Sequence, residues 1–135
     1  MRGRFLALAG LAAALAATPA GAHHSTAMFD QGKEVALVGT VRELQWTNPH
    51  SWIQIVAPGP KGGPPVEWSV ECGSPNTMSR QGWTKTTLKP GDKVTVRVNP
   101  MRDGTAAGLL VNVTLPNGKV LGQQGGPPPQ APAPR

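Results

Sequence analysis

Hydrophobic and polar residues alternate in several separate stretches of the chain, the pattern expected of half-buried β-strands. Segments rich in glycine and proline separate these stretches and predict turns. No long stretch carries the 3.6-residue period of an amphipathic helix. The pattern therefore predicts an all-β domain. Its strands are expected at 35–46, 52–56, 66–72, 93–98 and 108–115, and Asn117-Gly118 predicts a hairpin turn into a short strand at 119–121.

The first of these strands changes its inward face partway along. Val35 and Leu37 share one face, whereas Leu44 and Trp46 have the opposite parity. A switch near residues 39–41 predicts a bulge or a sharp bend. For the last two long strands the alternation predicts these inward-facing residues: Val94, Val96 and Val98, then Leu109, Val111, Val113 and Leu115.

One short helix is predicted between the third and fourth strands, over residues 75–81. Ser74 is a suitable N-cap, and Pro75 is favoured at the first helical position. Gly82 suits the left-handed residue that follows a helix, and it would let Trp83 pack back onto Met78.

This order of elements predicts a small OB-like barrel of five to six strands, with the helix between strands 3 and 4. The alternative that the pattern leaves open is a cupredoxin-like sandwich.

The two ends of the chain differ in composition from the middle. Residues 1–22 hold a basic start, an apolar run and an Ala20-Gly21-Ala22 cleavage pattern, which predict a secretory signal peptide. The apolar run is shorter than the ~20 residues of a membrane span, so no span is expected after cleavage. Residues 122–135, rich in proline and glycine, predict a disordered tail. The barrel domain is therefore expected at 23–121, in the periplasm.

Charge and cysteine content narrow the classes of function. A single cysteine excludes an internal disulfide. Without Arg2 and Arg4, eleven basic residues remain against seven acidic ones, and they are scattered along the chain. Nucleic-acid binding calls for a clustered basic surface, so no nucleic-acid partner is expected. We expect a monomer that binds a metal ion, an envelope protein or a small ligand.

The three histidines are the strongest candidates for chemistry. Cleavage after Ala22 would make His23 the first residue, and a terminal histidine can chelate through its amine and its ring. His50, in the connection between the first two strands, would complete a site of three nitrogens, and His24 is an alternate ligand. An open, planar set of nitrogens favours Cu(II). The competing interpretation is an exposed terminus that binds metals weakly, with His50 bonded only to its own loop.

Cys72 could in principle make this a blue-copper site. Its alternation with Val66, Trp68 and Val70 instead predicts a buried, inert thiol.

The main alternative to copper is a metal-free interaction module. Trp46 and Trp52 flank the connection that contains Asn48, and these three residues are the candidates for holding a ligand or partner. A copper monooxygenase would share the histidines, but the chain is short for the flat substrate surface that it needs. No hydrolase or metalloprotease motif and no phosphate-binding loop is present, so the sequence favours a binding protein over an enzyme.

Five stretches together resemble a family of small exported bacterial proteins described as a domain of unknown function. They are AHHSTAMFD, GTVRELQWTNPHSWIQI, WSVECGSPNTMSRQGW, LKPGDKVTVRVNPMRDG and LPNGKVL. The resemblance covers about residues 23–121. It implies export and a compact β-rich domain, and it carries over no catalytic residue. Cys72 is not part of the family pattern, which weakens a thiolate ligand further.

Overall fold

The computed structural model describes residues 26–122 of the 135-residue chain. The predicted signal peptide, His23, His24 and nearly all of the predicted tail lie outside the described residues. Within 26–122, no helix is both long and apolar enough to cross a membrane. The elements are β1 (Val35–Gln45), β2 (Trp52–Ala57), β3 (Val66–Glu71), α1 (Pro75–Arg80), β4 (Lys93–Pro100), β5 (Ala107–Thr114) and β6 (Val120–Gly122), with 3-10 turns at Thr26–Met28 and Pro60–Gly62.

The six strands form one sheet that closes on itself. Their order is β3-β2-β1-β4-β5-β6, and an additional parallel pairing joins β3 to β5. Strands 1, 2, 3, 5 and 4 therefore make a closed ring, and β6 extends it from β5. The predicted OB-like barrel with one short helix between strands 3 and 4 is confirmed, and the two-sheet sandwich is not formed.

Closure depends on a bend in β1. Thr40 pairs with Val56 of β2 on one side and with Lys93 of β4 on the other, so β1 passes from one neighbour to the next at this point. A Cβ on Gly39 would lie 2.3 Å from the carbonyl oxygen of Val56, closer than real Cβ contacts. The register then shifts between Val41 and Glu43. The predicted bend or bulge is confirmed.

The barrel interior is filled by aliphatic side chains from every long strand. Fully burying one such side chain stabilises the fold by about 1.5–3 kcal/mol. Met78 of α1 and the following Trp83, each 1% exposed, pack in the same core cluster. The strand residues with 0–1% exposure are Val41, Ile53, Ile55, Val70, Val96, Val98 and Val113.

The predicted inward face of β5 is wrong in its first half. Leu110 is buried, whereas Leu109 and Val111 are only partly buried. The cause is a register shift against β4: Arg97 pairs with Asn112, but Val98 pairs with Leu110, so Val111 is an extra residue. A bulge of this kind reverses the parity of the residues before it.

Helix α1 has the predicted caps and ends one residue earlier than predicted. The Thr77 N–H donates to Ser74 Oγ at 3.1 Å, as in an N-cap. Gly82 has a φ of 90°. The N–H of Trp83 donates to the Met78 carbonyl at 3.1 Å, and that of Gly82 donates to the Ser79 carbonyl at 3.1 Å. These two bonds define a Schellman motif, and Trp83 follows it into the core.

Replacement of Gly39 by alanine tests the bend. The new Cβ would force β1 and β2 apart, so we expect Gly39→Ala to lower the free energy of unfolding by about 3 kcal/mol. Urea denaturation measures the loss. Gly32→Ala is the matched control, because its Cβ would meet only Asp30 Oδ1 at 3.4 Å. Equal stability of the two variants would contradict this account of closure.

Replacement of Ser74 by alanine tests the cap. Removing the oxygen that accepts from Thr77 should lower the free energy of unfolding by about 1 kcal/mol. Ser79→Ala, on the exposed side of the same helix, should change it little. A thermal melt that ranks the two variants in the reverse order would refute the capping role.

Candidate functional site

The connection between β1 and β2, residues 46–51, is clamped onto the connection between β3 and α1. The Ser51 N–H donates to the Gly73 carbonyl at 2.9 Å, and the Cys72 N–H donates to the Ser51 carbonyl at 2.9 Å. Within the connection, the Thr47 hydroxyl donates to the His50 carbonyl at 2.7 Å. The backbone on both sides of His50 is therefore held in place.

The His50 ring is oriented through its Nδ1 atom. Nδ1 lies 3.0 Å from the Cys72 carbonyl oxygen and 3.3 Å from Glu71 Oε1. A carbonyl oxygen only accepts hydrogen bonds, so Nδ1 must carry the proton, and in the neutral ring the lone pair is on Nε2. Histidines that bind metals commonly donate their other ring N–H to a carbonyl or a carboxylate. His50 thus has the orientation of a metal ligand that binds through Nε2.

Glu71 is a partner of His50 that the alternation pattern of the sequence does not identify. Both side chains are mostly buried, with 25% of the His50 side chain and 17% of the Glu71 side chain exposed. The register of the β2–β3 hairpin pairs Trp52 with Glu71, and Trp52 comes two residues after His50. That register is the signal that could have identified Glu71, because it brings the end of β3 beside the start of β2.

Cys72 contributes its backbone carbonyl rather than its sulfur. The side chain is fully buried, and burial raises the pKa of its thiol far above the ordinary range. A thiol that stays protonated does not bind copper as a thiolate. The predicted burial of this thiol is confirmed.

The outer face of β1, β2 and β3 carries a row of bonded polar side chains beside the His50 connection. Ser69 Oγ donates to Gln54 Oε1 at 2.6 Å, and Gln54 Nε2 donates to Gln45 Oε1 at 3.3 Å. Gln45 Nε2 donates in turn to Glu43 at 3.3 Å. Trp52, on the same face, is half-buried and lies in register between Gln45 and Glu71.

The charge on this outer face is mainly negative. It carries Glu43, Glu67 and Glu71, and the Arg42 guanidinium donates to both carboxylate oxygens of Glu67. In OB barrels this face of strands 2 and 3 is where oligonucleotides or oligosaccharides bind. With Glu67 paired to Arg42, the other carboxylates on this face are those of Glu43 and Glu71.

The other two predicted ligand residues lie in the His50 connection. Trp46 is half-buried and packs against the core, whereas Asn48 is exposed and its peptide bond to Pro49 is cis. Of the two flanking tryptophans, Trp52 is thus the one on the outer face.

The described chain begins at a turn that is bound to the β4–β5 connection. Arg102 Nε donates to the Ala27 carbonyl at 3.0 Å, and the Arg102 N–H donates to the Met28 carbonyl at 2.9 Å. His23 and His24 lie just before this turn and outside the described residues. Within residues 26–122, no group of three or more histidine, cysteine, aspartate or glutamate side chains could hold a metal ion.

Comparison with known proteins gives one match. No curated protein and no solved structure matches the chain. The sequence profile described as Family of unknown function (DUF6152) matches residues 11–112, which includes the His50 connection, Glu71 and α1. The chain belongs to this family of unknown function.

Proposed function

We propose that this protein is an exported, periplasmic copper-binding protein. In this proposal Cu(II) is held by the amine and ring of His23 and by Nε2 of His50, with His24 as the alternate ligand. The observation that carries it is the His50 ring, whose Nδ1 is held by the Cys72 carbonyl beside Glu71. This arrangement orients Nε2 before any metal arrives, which lowers the ordering cost of binding.

The position of the N-terminal turn supports the coordination of one copper ion by His23 and His50 together. The turn is bound to the β4–β5 connection, whereas His50 is in the β1–β2 connection, and both connections border the same face of an OB barrel. The Met101 N–H donates to the Ala107 carbonyl, and Ala107 pairs with Ser69 of β3. Ser69 precedes Cys72 by three residues, about 10 Å along a strand.

In the proposal, the residues before the turn extend from it toward the His50 connection. His23 precedes Thr26 by three residues, which span at most about 10 Å when extended. The amine, the terminal ring and Nε2 would supply three nitrogens, a set that favours Cu(II) over other divalent ions of its row. Because the described residues contain one histidine, the other nitrogens must come from the preceding segment.

A metal-free interaction module is the second candidate, and Trp52 is the observation that favours it. This indole lies on the outer face, in register between Gln45 and Glu71, an arrangement suited to stacking and hydrogen bonding with a polar ligand. If the folded protein begins at His23 and still does not bind copper, the result would favour the metal-free interaction module.

Copper titration of the mature protein tests the proposal. Isothermal titration with Cu(II) should show one site, and His50→Ala should weaken it at least tenfold. A Gly-Ser extension before His23, which removes the terminal chelate, should weaken it similarly. Mass spectrometry of the exported protein should give His23 as the first residue. Unchanged affinity in the His50 variant, or a different first residue, would refute the proposed site.

The contribution of Glu71 to copper binding is measured with a matched pair of variants. Loss of a group that orients a metal-binding histidine lowers affinity about 10- to 100-fold, so Glu71→Gln should weaken copper binding. Glu67→Gln, on the same strand but paired with Arg42, is the control and should bind like the parent protein. Circular dichroism confirms that each variant is folded.

Copper affinity should also depend on pH in a defined direction. The terminal amine must lose its proton to coordinate, and an α-amino group has a reference pKa of about 7.7–8.0. Below that value each pH unit should therefore change the apparent affinity by up to about tenfold, with stronger binding at higher pH. Competition titrations at pH 6, 7 and 8 measure the slope, and a flat profile would show that the amine is not a ligand.

A further inference from the structure

Two apolar clefts lie along β1 between Val35 and Thr40, and none of the residues of the His50 connection lines them. Their volumes are about 690 Å³ and about 580 Å³. Val38, Ala57 and Pro58 line both clefts, so the two adjoin. Val38 is 65% exposed, the largest value among the exposed large hydrophobic residues of 26–122.

Of the residues within 26–122 that line the larger cleft, one is charged. Lys93 lies there with Thr40 and Thr95, and the remaining lining is mainly aliphatic or proline. Lys93 Nζ donates to Thr40 Oγ1 at 2.6 Å, which holds the ammonium group at the cleft. The described residues that line the smaller cleft include no charged one, and among them are Val35, Leu37, Val66 and the half-buried Trp68.

We propose that the two clefts together bind a single-chain fatty acid. Its carboxylate pairs with Lys93, and its hydrocarbon chain runs past Val38 toward Trp68. Each cleft is within the ~300–1,000 Å³ range of small-molecule sites, and both have the mostly apolar lining of such sites. Val35 to Thr40, which spans both clefts along β1, covers about 17 Å, a length that suits an extended acyl chain.

The charge of Lys93 favours a fatty acid over uncharged apolar ligands. A cation at one end of an apolar cleft complements an anionic amphiphile, because the carboxylate gains a charge-assisted hydrogen bond while the chain leaves water. An uncharged alcohol of the same length would gain only the second contribution. A lipid in a bilayer already has its chain out of water, so the site takes the free, monomeric acid.

Titration with dodecanoate, below the concentration at which it forms micelles, tests this proposal. Calorimetry should show one saturable site per protein, and Trp68 should give a change in fluorescence. Dodecanol should bind about tenfold more weakly than dodecanoate. Lys93→Gln should weaken dodecanoate about tenfold and leave dodecanol unchanged. Lys85→Gln, an exposed lysine that lines neither cleft, is the control for net charge.

A second pair of variants tests the path of the chain. Val38→Asp places a carboxylate where the two clefts adjoin, at an exposed position that does not disturb the core, and it should lower dodecanoate affinity at least tenfold. Val120→Asp, at another exposed valine outside both clefts, should have little effect. His50→Ala should bind dodecanoate like the parent protein, so this test is independent of copper.

Three results would overturn the proposal. They are the absence of a saturable site, equal affinity of the Lys93 and Lys85 variants for dodecanoate, and binding to anionic phospholipid vesicles without binding to monomeric dodecanoate.

Discussion

The bend of β1 at Gly39 is the constraint on which the rest of the structure depends. One strand serves both halves of the barrel, because Thr40 pairs with β2 and β4 at once. This requires β2 to approach the β1 backbone so closely that a Cβ at Gly39 would meet the Val56 carbonyl at 2.3 Å. Without that approach the sheet would stay open, and its unpaired edges would be exposed.

A second constraint joins the His50 connection to the start of α1. Ser51 exchanges backbone hydrogen bonds with Cys72 and Gly73, and Ser74 then caps the helix. The orientation of the His50 ring follows from this clamp, because its hydrogen-bond acceptor is the carbonyl of Cys72. The thiol of Cys72 is buried in the core, whereas its backbone carbonyl accepts the hydrogen bond from the His50 ring.

The barrel carries two surfaces of opposite chemistry. Its outer face near Trp52 has bonded polar side chains and three glutamates, whereas the clefts around Val38 are apolar and have one lysine. Strand alternation produces the outer face, since residues two apart on β2 and β3 share a side. The clefts are instead lined mainly by β1 and by the connection between β2 and β3. A copper site and an acyl-chain site could thus coexist on one small barrel.

Local patterns in the sequence determined the strands, the bend of β1 and the Schellman end of α1, since each depends on residues close together in the chain. The inward face of β5 could be assigned only from its register against β4. The alternation of hydrophobic and polar residues does not reveal that Val111 is an extra residue. The pairing of Glu71 with His50 and the clefts around Val38 also came only from the tertiary structure. They join residues from separate strands, and their positions depend on how the sheet closes rather than on any local preference.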